Sequence, residues 1–316
     1  MTTVESMRAL LFVGSVATVY GVAGIILLRW AVRKWLGRGQ PSTGRSLLLQ
    51  RAILGLAGIG LLCVAYGFRV EPYWVEVTRT RITSPRIPKG HRPIRIVHLS
   101  DFHCDPAPRV EERLPDLIAA EKPDLIVFTG DAINSERGLP VLKKLLTRLS
   151  AVAPTIVVRG NWDVVFWGRE DLFEGTGVRE VNGTAEKVEV GGTPVWVAGV
   201  AFDSEARASK ALSHVPPGAF TLFLHHHPYP EVVPEADQPR VDLFCAGHVH
   251  GGQVAMPFYG ALVTMSKHDK KYEAGLYRTG PMWLYVSRGV GMEGGPAPRV
   301  RFCSRPEVAV LEAAPE

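Results

Sequence analysis

Ile94-Arg-Ile-Val-His-Leu-Ser-Asp-Phe-His103 holds two kinds of chemistry in one short stretch. Its first part is a β-branched and apolar run interrupted only by Arg95 and His98, the pattern of a strand buried on both faces. His98, inside the run, reads as a satisfied core histidine. The apolar run then ends, and Asp101 and His103 follow, two residues of metal-ligand type just past the strand's carboxyl end. Open α/β sheets gather their ligands in the crevice beyond such strand ends.

The same unit recurs downstream. Asp124-Leu-Ile-Val-Phe128 is followed by Asp131 in Thr-Gly-Asp, and Thr155-Ile-Val-Val158 by Asn161 in Arg-Gly-Asn. Helical patterns at about Val110 to Glu121 and Leu139 to Leu149 separate these runs. The β-α-β-α-β order predicts a layered α/β domain with neighbouring parallel strands. Later strand candidates are Thr193 to Ala198, Ala219 to Leu224 and Val241 to Phe244. His226 follows the second of these, and His248 and His250 follow the third. Tyr272 to Leu311 reads as short strands, and no internal repeat or low-complexity tract is visible.

Upstream the composition changes. The chain of 316 residues is 46% hydrophobic and 21% charged, which excludes a disordered or collagenous polymer, and its four cysteines exclude a disulfide scaffold. Up to Arg95 it carries 14 Lys and Arg against 3 Asp and Glu; the remainder carries 22 against 28. The body is therefore mildly acidic, which argues against a nucleic-acid partner. Ala9 to Leu28 is a run of 20 uncharged residues and Ala52 to Phe68 one of 17, each bounded by arginines. The first is just long enough to cross a hydrocarbon core of about 30 Å. It exceeds a usual signal-peptide core, and no A-x-A-like cleavage site follows. The sequence thus predicts an anchor over 1–92, with two hydrophobic helices and a basic connector, and a catalytic domain over 93–316. The partner of the anchor is the lipid bilayer, and the expected location is a cell inner or plasma membrane, multi-pass. The connector carries Arg29, Arg33, Lys34, Arg38, Arg45 and Arg51 with no acidic residue. The positive-inside rule makes it cytoplasmic and turns both termini outward. Arg69, Arg79, Arg81 and Arg86 follow the second run and oppose that orientation, so a hairpin with a cytoplasmic body stays open. Cys104, Cys245 and Cys303 do not settle the compartment.

Asp, Asn and His together suit Mn²⁺, Fe or Zn²⁺. Singly each signal is weak, since a Gly-Asp pair is commonly a turn and His225-His226-His227 alone is ambiguous. The ordered set D-x-H, G-D, G-N, a histidine and Gly247-His-Val-His-Gly-Gly-Gln253, all at strand ends, is hard to obtain by chance. It resembles the calcineurin-like metallophosphoesterase superfamily over about Arg92 to Leu311. The ending Leu284-Tyr-Val-Ser-Arg-Gly-Val-Gly291 through Val300-Arg-Phe-Cys-Ser-Arg-Pro-Glu307 resembles its membrane-anchored branch. That branch includes transmembrane metallophosphoesterase-domain proteins and a pyrophosphatase acting on UDP-2,3-diacylglucosamine in lipid A biosynthesis.

The resemblance implies a four-layer αββα sandwich and two divalent metals, Mn²⁺ foremost, with Zn²⁺ or Fe as alternatives. It assigns Asp101, His103 and His250 to one metal, Asn161, His226 and His248 to the other, and Asp131 to both. Asp131, Asn161 and His226 are the implied catalytic residues. The implied reaction is metal-dependent hydrolysis of a phosphoric ester or anhydride, by in-line attack of activated water on phosphorus. A membrane anchor points to a lipid-linked substrate, UDP-2,3-diacylglucosamine being the specific candidate. An envelope-facing enzyme acting on phospholipid or nucleotide esters is the alternative.

One position departs from the family pattern. Its asparagine motif is usually Gly-Asn-His followed by an acid, and that histidine assists the leaving group; here it is Gly160-Asn-Trp-Asp163. An indole donates hydrogen bonds but no proton at neutral pH, so Trp162 tilts the substrate toward a phosphoanhydride or an ester with a good leaving group. His225, His227 or Asp163 are the other proton sources. Trp162 and Arg288 are the expected substrate contacts, with Arg159 and Arg169 as further arginines. Phe166 and Trp167 read either as an acyl groove or as core.

Overall fold

The computed structural model describes residues 2–38, 44–294 and 298–316, so the middle of the connector lies outside the described residues. Two helices come first, α1 (Thr3–Trp35) and α2 (Gly44–Arg69). At 1.5 Å per residue they are about 50 Å and 39 Å long, more than a hydrocarbon core requires. Both are long and apolar enough to cross a membrane and are scarcely buried by the rest of the chain. They pack on each other through Tyr20, whose hydroxyl donates to Ala57 O at 3.1 Å.

A strand not expected from the sequence follows, β1 (Glu76–Ser84). Then come β2 (Ile94–Leu99), α3 (Leu114–Ala120), β3 (Leu125–Phe128), α4 (Leu139–Val152), β4 (Thr155–Val157), α5 (Asn161–Val165) and β5 (Arg179–Glu180). The rest is β6 (Thr184–Val190), β7 (Thr193–Gly199), α6 (Ala208–Ser213), β8 (Phe220–Leu224), β9 (Leu243–Ala246), β10 (Ala255–Met256), β11 (Gly260–Ala261), β12 (Gly275–Thr279), β13 (Met282–Val286) and β14 (Glu307–Pro315).

Two six-stranded sheets result, ordered β1-β14-β2-β3-β4-β5 and β12-β13-β9-β8-β7-β6. β2, β3 and β4 run parallel, as do β7, β8, β9 and β13. β14 inserts antiparallel to β2 and carries β1 parallel on its far side. β1, which precedes the expected division at 92/93, thus lies in the same sheet as β2.

The layers follow from alternation along each strand. Ile94, Ile96, Leu125, Val127 and Ile156 face Val195, Val197, Leu222, Leu224 and Leu243 of the other sheet, forming the middle of the sandwich. The opposite faces, through Val97, Leu99, Ile126 and Phe128, pack under α3 and α4. On the far side Ala198, Phe223, Phe244 and Val286 pack under α6. This is the αββα arrangement. In α4, Leu142, Leu145, Leu146 and Leu149 form one buried stripe at helical spacing. Each such burial stabilises by roughly 1.5–3 kcal/mol.

Candidate metal centre

The parallel strands deliver their carboxyl ends to one edge, and the loops leaving them are bonded to each other. Asp101 N–H donates to Gly130 O at 2.8 Å, His103 N–H to Asp131 O at 3.0 Å, and Gly247 N–H to His226 O at 2.9 Å. Asp101, His103, Asp131, His248 and His250 all have φ between 42° and 71°, in the left-handed region. Non-glycine residues avoid that region at a cost of order 1 kcal/mol each and gather there at functional sites. Gly247 permits the approach, because a Cβ there would collide with Ser100 and the Asp101 carboxylate.

Two clusters form. Ligand atoms of Asp101, His103 and His250 lie within 4.8 Å of one another, and so do those of Asp131, His226 and His248. Asp131 touches both, with Oδ2 3.6 Å from His103 Nε2 and 3.2 Å from His226 Nε2. His226 Nε2 is also 3.9 Å from Asp101 Oδ1, and His250 Nε2 is 3.3 Å from it. Asn161 opens α5 beside the second cluster. A Cβ on its neighbour Gly160 would strike Asp131 and lie 2.8 Å from His226 Nδ1.

The donors suit divalent metal ions. Both ring nitrogens of His103, Nε2 of His226 and Oδ1 of Asn161 are buried and have no hydrogen-bond partner. Buried polar atoms are otherwise nearly always paired. A carbonyl only accepts, so the contact of His226 Nδ1 with Thr129 O at 2.7 Å fixes the proton on Nδ1 and leaves the Nε2 lone pair aimed at Asp131. By the same logic His248 donates from Nε2 to Met265 O at 3.3 Å and keeps Nδ1 free. Backbone acceptors behind histidines orient such ligands in metal sites.

The electrostatics agree. Burial alone would raise Asp101, but His250, His226 and His103 outweigh it and hold the carboxyl below its ordinary range. Asp131 is lowered in the same way, chiefly by His226. Burial pushes His103 down to about 3 and His248 to about 4, so both are neutral at neutral pH. Asp131 raises His226, against its burial, to about 9, so without a metal Nε2 also holds a proton that a bound ion would displace.

Trp162 lies at the mouth, half-buried, with its ring edge-on to His103 at 5.3 Å and against Phe166 at 4.9 Å. Its backbone N–H donates to Asp131 Oδ1 at 2.8 Å. Phe166 is exposed, whereas Trp167 packs on the core and donates from its indole to Ile133 O at 3.1 Å. Arg288, an expected substrate contact, has its guanidinium 2.7 Å from Glu76 and 3.5 Å from Glu307. Arg159 is held by Glu180 at 3.0 Å.

Among the other proton sources, Asp163 is fully buried and accepts from the N–H groups of Asp131, Ala132 and Gly160 at 2.8, 2.8 and 2.9 Å. Burial, with the charge of Asp131, pushes its carboxyl up to about 7 against those bonds. It bolts the Asp131 loop to the Asn161 loop. His225 is buried, donates to His227 O at 3.0 Å and is pushed down to about 3 by burial. His227 stays at the site, 3.9 Å from the His248 ring centroid.

Several supporting residues were given no role by the sequence reading. Arg301, wholly buried, donates to the carbonyls of Arg288, Gly289, Gly291 and Ser304 at 3.1 Å or less, and so fixes the loop under Asp101. Glu5 of α1 accepts from Thr264 N–H at 2.7 Å and Met265 N–H at 3.1 Å. Glu71, just beyond α2, accepts from Cys303 N–H at 3.0 Å and Ser304 N–H at 2.5 Å, and the Ser304 hydroxyl donates to His250 O at 2.6 Å. The two apolar helices thus meet the loops that flank His248 and His250.

Comparison with known proteins places the sequence in a family. Residues 94–252 match the family model of the calcineurin-like phosphoesterases. The uncharacterized metallophosphoesterase YkuE of Bacillus subtilis (strain 168) is 31% identical over 292 residues, spanning 83% of this chain and 94% of the relative. Phosphodiesterase YaeI of Escherichia coli (strain K12) is 29% identical over 253 residues, 77% of this chain and 89% of the relative. A transmembrane protein with metallophosphoesterase domain from Bos taurus is 27% identical over 316 residues, 92% of this chain and 68% of the relative.

Proposed function

The chain belongs to the calcineurin-like phosphoesterase family of metal-dependent hydrolases, and from that premise we propose a membrane-anchored phosphohydrolase with a two-metal centre that cleaves a phosphodiester or pyrophosphate in a lipid-linked substrate. One observation carries the reading: two ligand clusters share Asp131, and each is flanked by a loop bonded to an apolar helix. Asp101, His103 and His250 would hold one ion, Asn161, His226 and His248 the other, and Asp131 would serve both; Mn²⁺ suits this set, with Zn²⁺ or Fe as alternatives. A bound ion pair neutralises charge on the phosphoryl oxygens and lowers the pKa of water.

The chain's own groups do the rest. The Thr129 and Met265 carbonyls fix the tautomers of His226 and His248, and Asp163 keeps the Asp131 and Asn161 loops in register. Trp162 excludes water from one side of the mouth and supplies no proton, which favours good leaving groups. The relatives called transmembrane support reading α1 and α2 as two spans of a multi-pass membrane protein, and the relative called a phosphodiesterase supports a diester substrate.

The outward-facing alternative gains from one observation. Arg79 pairs with Glu121 at 2.6 Å and Arg86 with Asp242 at 2.8 Å, so both belong to the folded body. Against the six basic residues of the connector, that leaves Arg69 and Arg81 at or beyond the end of α2, an excess that favours the body on the other face. That favours phospholipid or nucleotide esters over a UDP-sugar.

Hydrolysis by detergent-solubilised protein with Mn²⁺ tests the reading, comparing UDP-2,3-diacylglucosamine, a phospholipid in mixed micelles and bis-p-nitrophenyl phosphate. Selective UMP release assigns the lipid A substrate, and phospholipid turnover the outward-facing enzyme. Absence of metal-dependent turnover on all three would leave a binding scaffold. Asn161→Ala and Asp131→Ala should each cut turnover at least about 10²-fold with the circular dichroism unchanged. Full activity in Asn161→Ala would refute the two-metal assignment.

A further inference from the structure

The ligand-bearing turn at His250 runs directly into the short hairpin of β10 and β11, whose tip carries Phe258. Phe258 is fully exposed, with φ at 65°, and Tyr259 beside it is half exposed. A bare aromatic at a left-handed hairpin tip is an expensive choice in water. The tip is also tied to α1. Lys270 Nζ lies 4.0 Å over the Tyr259 ring and donates to Tyr259 O at 2.6 Å and Ala261 O at 3.1 Å. Its neighbour Asp269 receives both guanidinium nitrogens of Arg8 at 2.7 and 2.8 Å. Arg8 is the last charge before the apolar run of α1, and Leu10 and Leu11, 73% and 65% exposed, begin that run. The hairpin therefore sits at the level where α1 leaves its polar end. Tyr73 and Trp74, both exposed, follow just past the end of α2.

We propose that the β10–β11 hairpin is an interfacial foot: Phe258, Tyr259 and the neighbouring exposed Met265 enter the headgroup and acyl boundary of the bilayer beside α1. Aromatic side chains favour this zone, where one end is apolar and the other wet. The occupant is phospholipid because the hairpin continues the exposed apolar flank of α1. Lys267 and Lys270 are paired with Glu231 and Glu273 at 2.7 Å each, so insertion is apolar and independent of anionic lipid. The foot is strung between the two ligand loops. On one side Gln253 N–H donates to His250 O at 3.0 Å, and on the other Met265 O receives His248. It holds the rim of the metal centre against the membrane, where a substrate's phosphate emerges from the lipid. The proposal rests on α1 and α2 being spans, and it deepens the lipid-linked reading.

A nitroxide at Phe258→Cys, in a Cys63→Ser, Cys303→Ser background of the full chain, tests it in nanodiscs of zwitterionic lipid; Cys104 and Cys245 are buried. The expected result is greater access to oxygen than to a water-soluble nickel chelate, unchanged by added anionic lipid. Matching labels at Leu11→Cys and at exposed Lys144→Cys supply lipid and water references. A water-like Phe258 beside a lipid-like Leu11 overturns the foot alone, and two water-like labels overturn the spans as well. Spin–spin broadening at Phe258 would assign the tip to a second copy and also overturn it. Independently, Phe258→Asp should raise KM about tenfold for a micellar lipid substrate and leave bis-p-nitrophenyl phosphate within about twofold. Equal losses on both refute the foot, whereas absence of turnover on both in the unsubstituted protein refutes the enzyme reading and leaves the label result standing.

Discussion

Glu5 and Thr264 share two hydrogen bonds of 2.7 Å, one from the threonine N–H and one from its hydroxyl, across 259 positions of sequence. The same carboxylate oxygen accepts from Met265 N–H, and Met265 O receives His248 Nε2. The first turn of α1 is thus two bonds from a candidate metal ligand. Glu5→Ala should lower affinity at the His226–His248 cluster about tenfold, the size of effect supporting-residue losses have on metal sites. Two-site calorimetric titration with Mn²⁺ measures it. Equal weakening of both sites, or of neither, contradicts the route through Met265.

Asp163 gives a stability prediction. Its removal leaves three buried N–H groups, those of Asp131, Ala132 and Gly160, without acceptors. At roughly 1–3 kcal/mol per orphaned group the loss is about 3 kcal/mol or more. Asp163→Ala in the metal-loaded protein should therefore melt about 6–12 °C lower. An unchanged melting temperature would mean the two loops hold together without the carboxylate.

These two residues also show what the sequence could reveal. β2 was readable from Ile94 to Leu99 because a parallel strand covered on both faces is a continuous apolar run. The ligands were readable because they follow such runs at once. β1 was not: its arginines alternate with threonines at a sheet edge, and beside α2 they looked like membrane-flanking charge. β6 was hidden in the same way by Glu186, Lys187 and Glu189. The pairing of Arg288, in its glycine-rich loop, with Glu76 was hidden along with β1. Glu5 caps its own helix through Thr2, but its bonds to Thr264 and Met265, and those of Glu71 and Arg301 to other loops, join distant segments, and local patterning carries no trace of such pairings.

His98 sets part of the pH dependence. It is fully buried in β2, shares a 2.9 Å contact with Thr129 Oγ1, and burial pushes it from the ordinary 6.5 down to about 3. Below about 6.5 the unfolded chain takes a proton that the folded protein refuses until about 3. Stability is therefore lost as pH falls through that window, by up to about 1.4 kcal/mol per pH unit for one such group. His98→Phe removes the titration, at a pH-independent cost of about 1 kcal/mol for the Thr129 bond. Its melting temperature in chelator should fall less than that of the unsubstituted protein between pH 6 and pH 4.5. His225, also held near 3, keeps some slope in both proteins. Parallel curves would mean that His98 takes its proton without unfolding.

Trp162 decides what leaving groups the site tolerates. Its ring meets His103 at 5.3 Å, so the position overlooks the first ligand cluster, and the backbone N–H of Trp162 holds Asp131. An indole there cannot protonate a departing alkoxide, and the alternatives are committed or neutral. Asp163 is tied to three backbone donors, and His225 is turned into the core. Burial and the neighbouring His248 hold His227 well below its ordinary value, so it carries no proton to give at neutral pH. Trp162→His keeps the backbone bond to Asp131 and adds a titratable nitrogen at the mouth. General acids contribute about 10²–10⁴-fold where the leaving group is a strong base, and little where it is not. The substitution should raise kcat/KM for an alkyl phosphodiester at least about tenfold while leaving bis-p-nitrophenyl phosphate within about twofold. A uniform change across a leaving-group series would show that Trp162 shapes the pocket and does not set the chemistry.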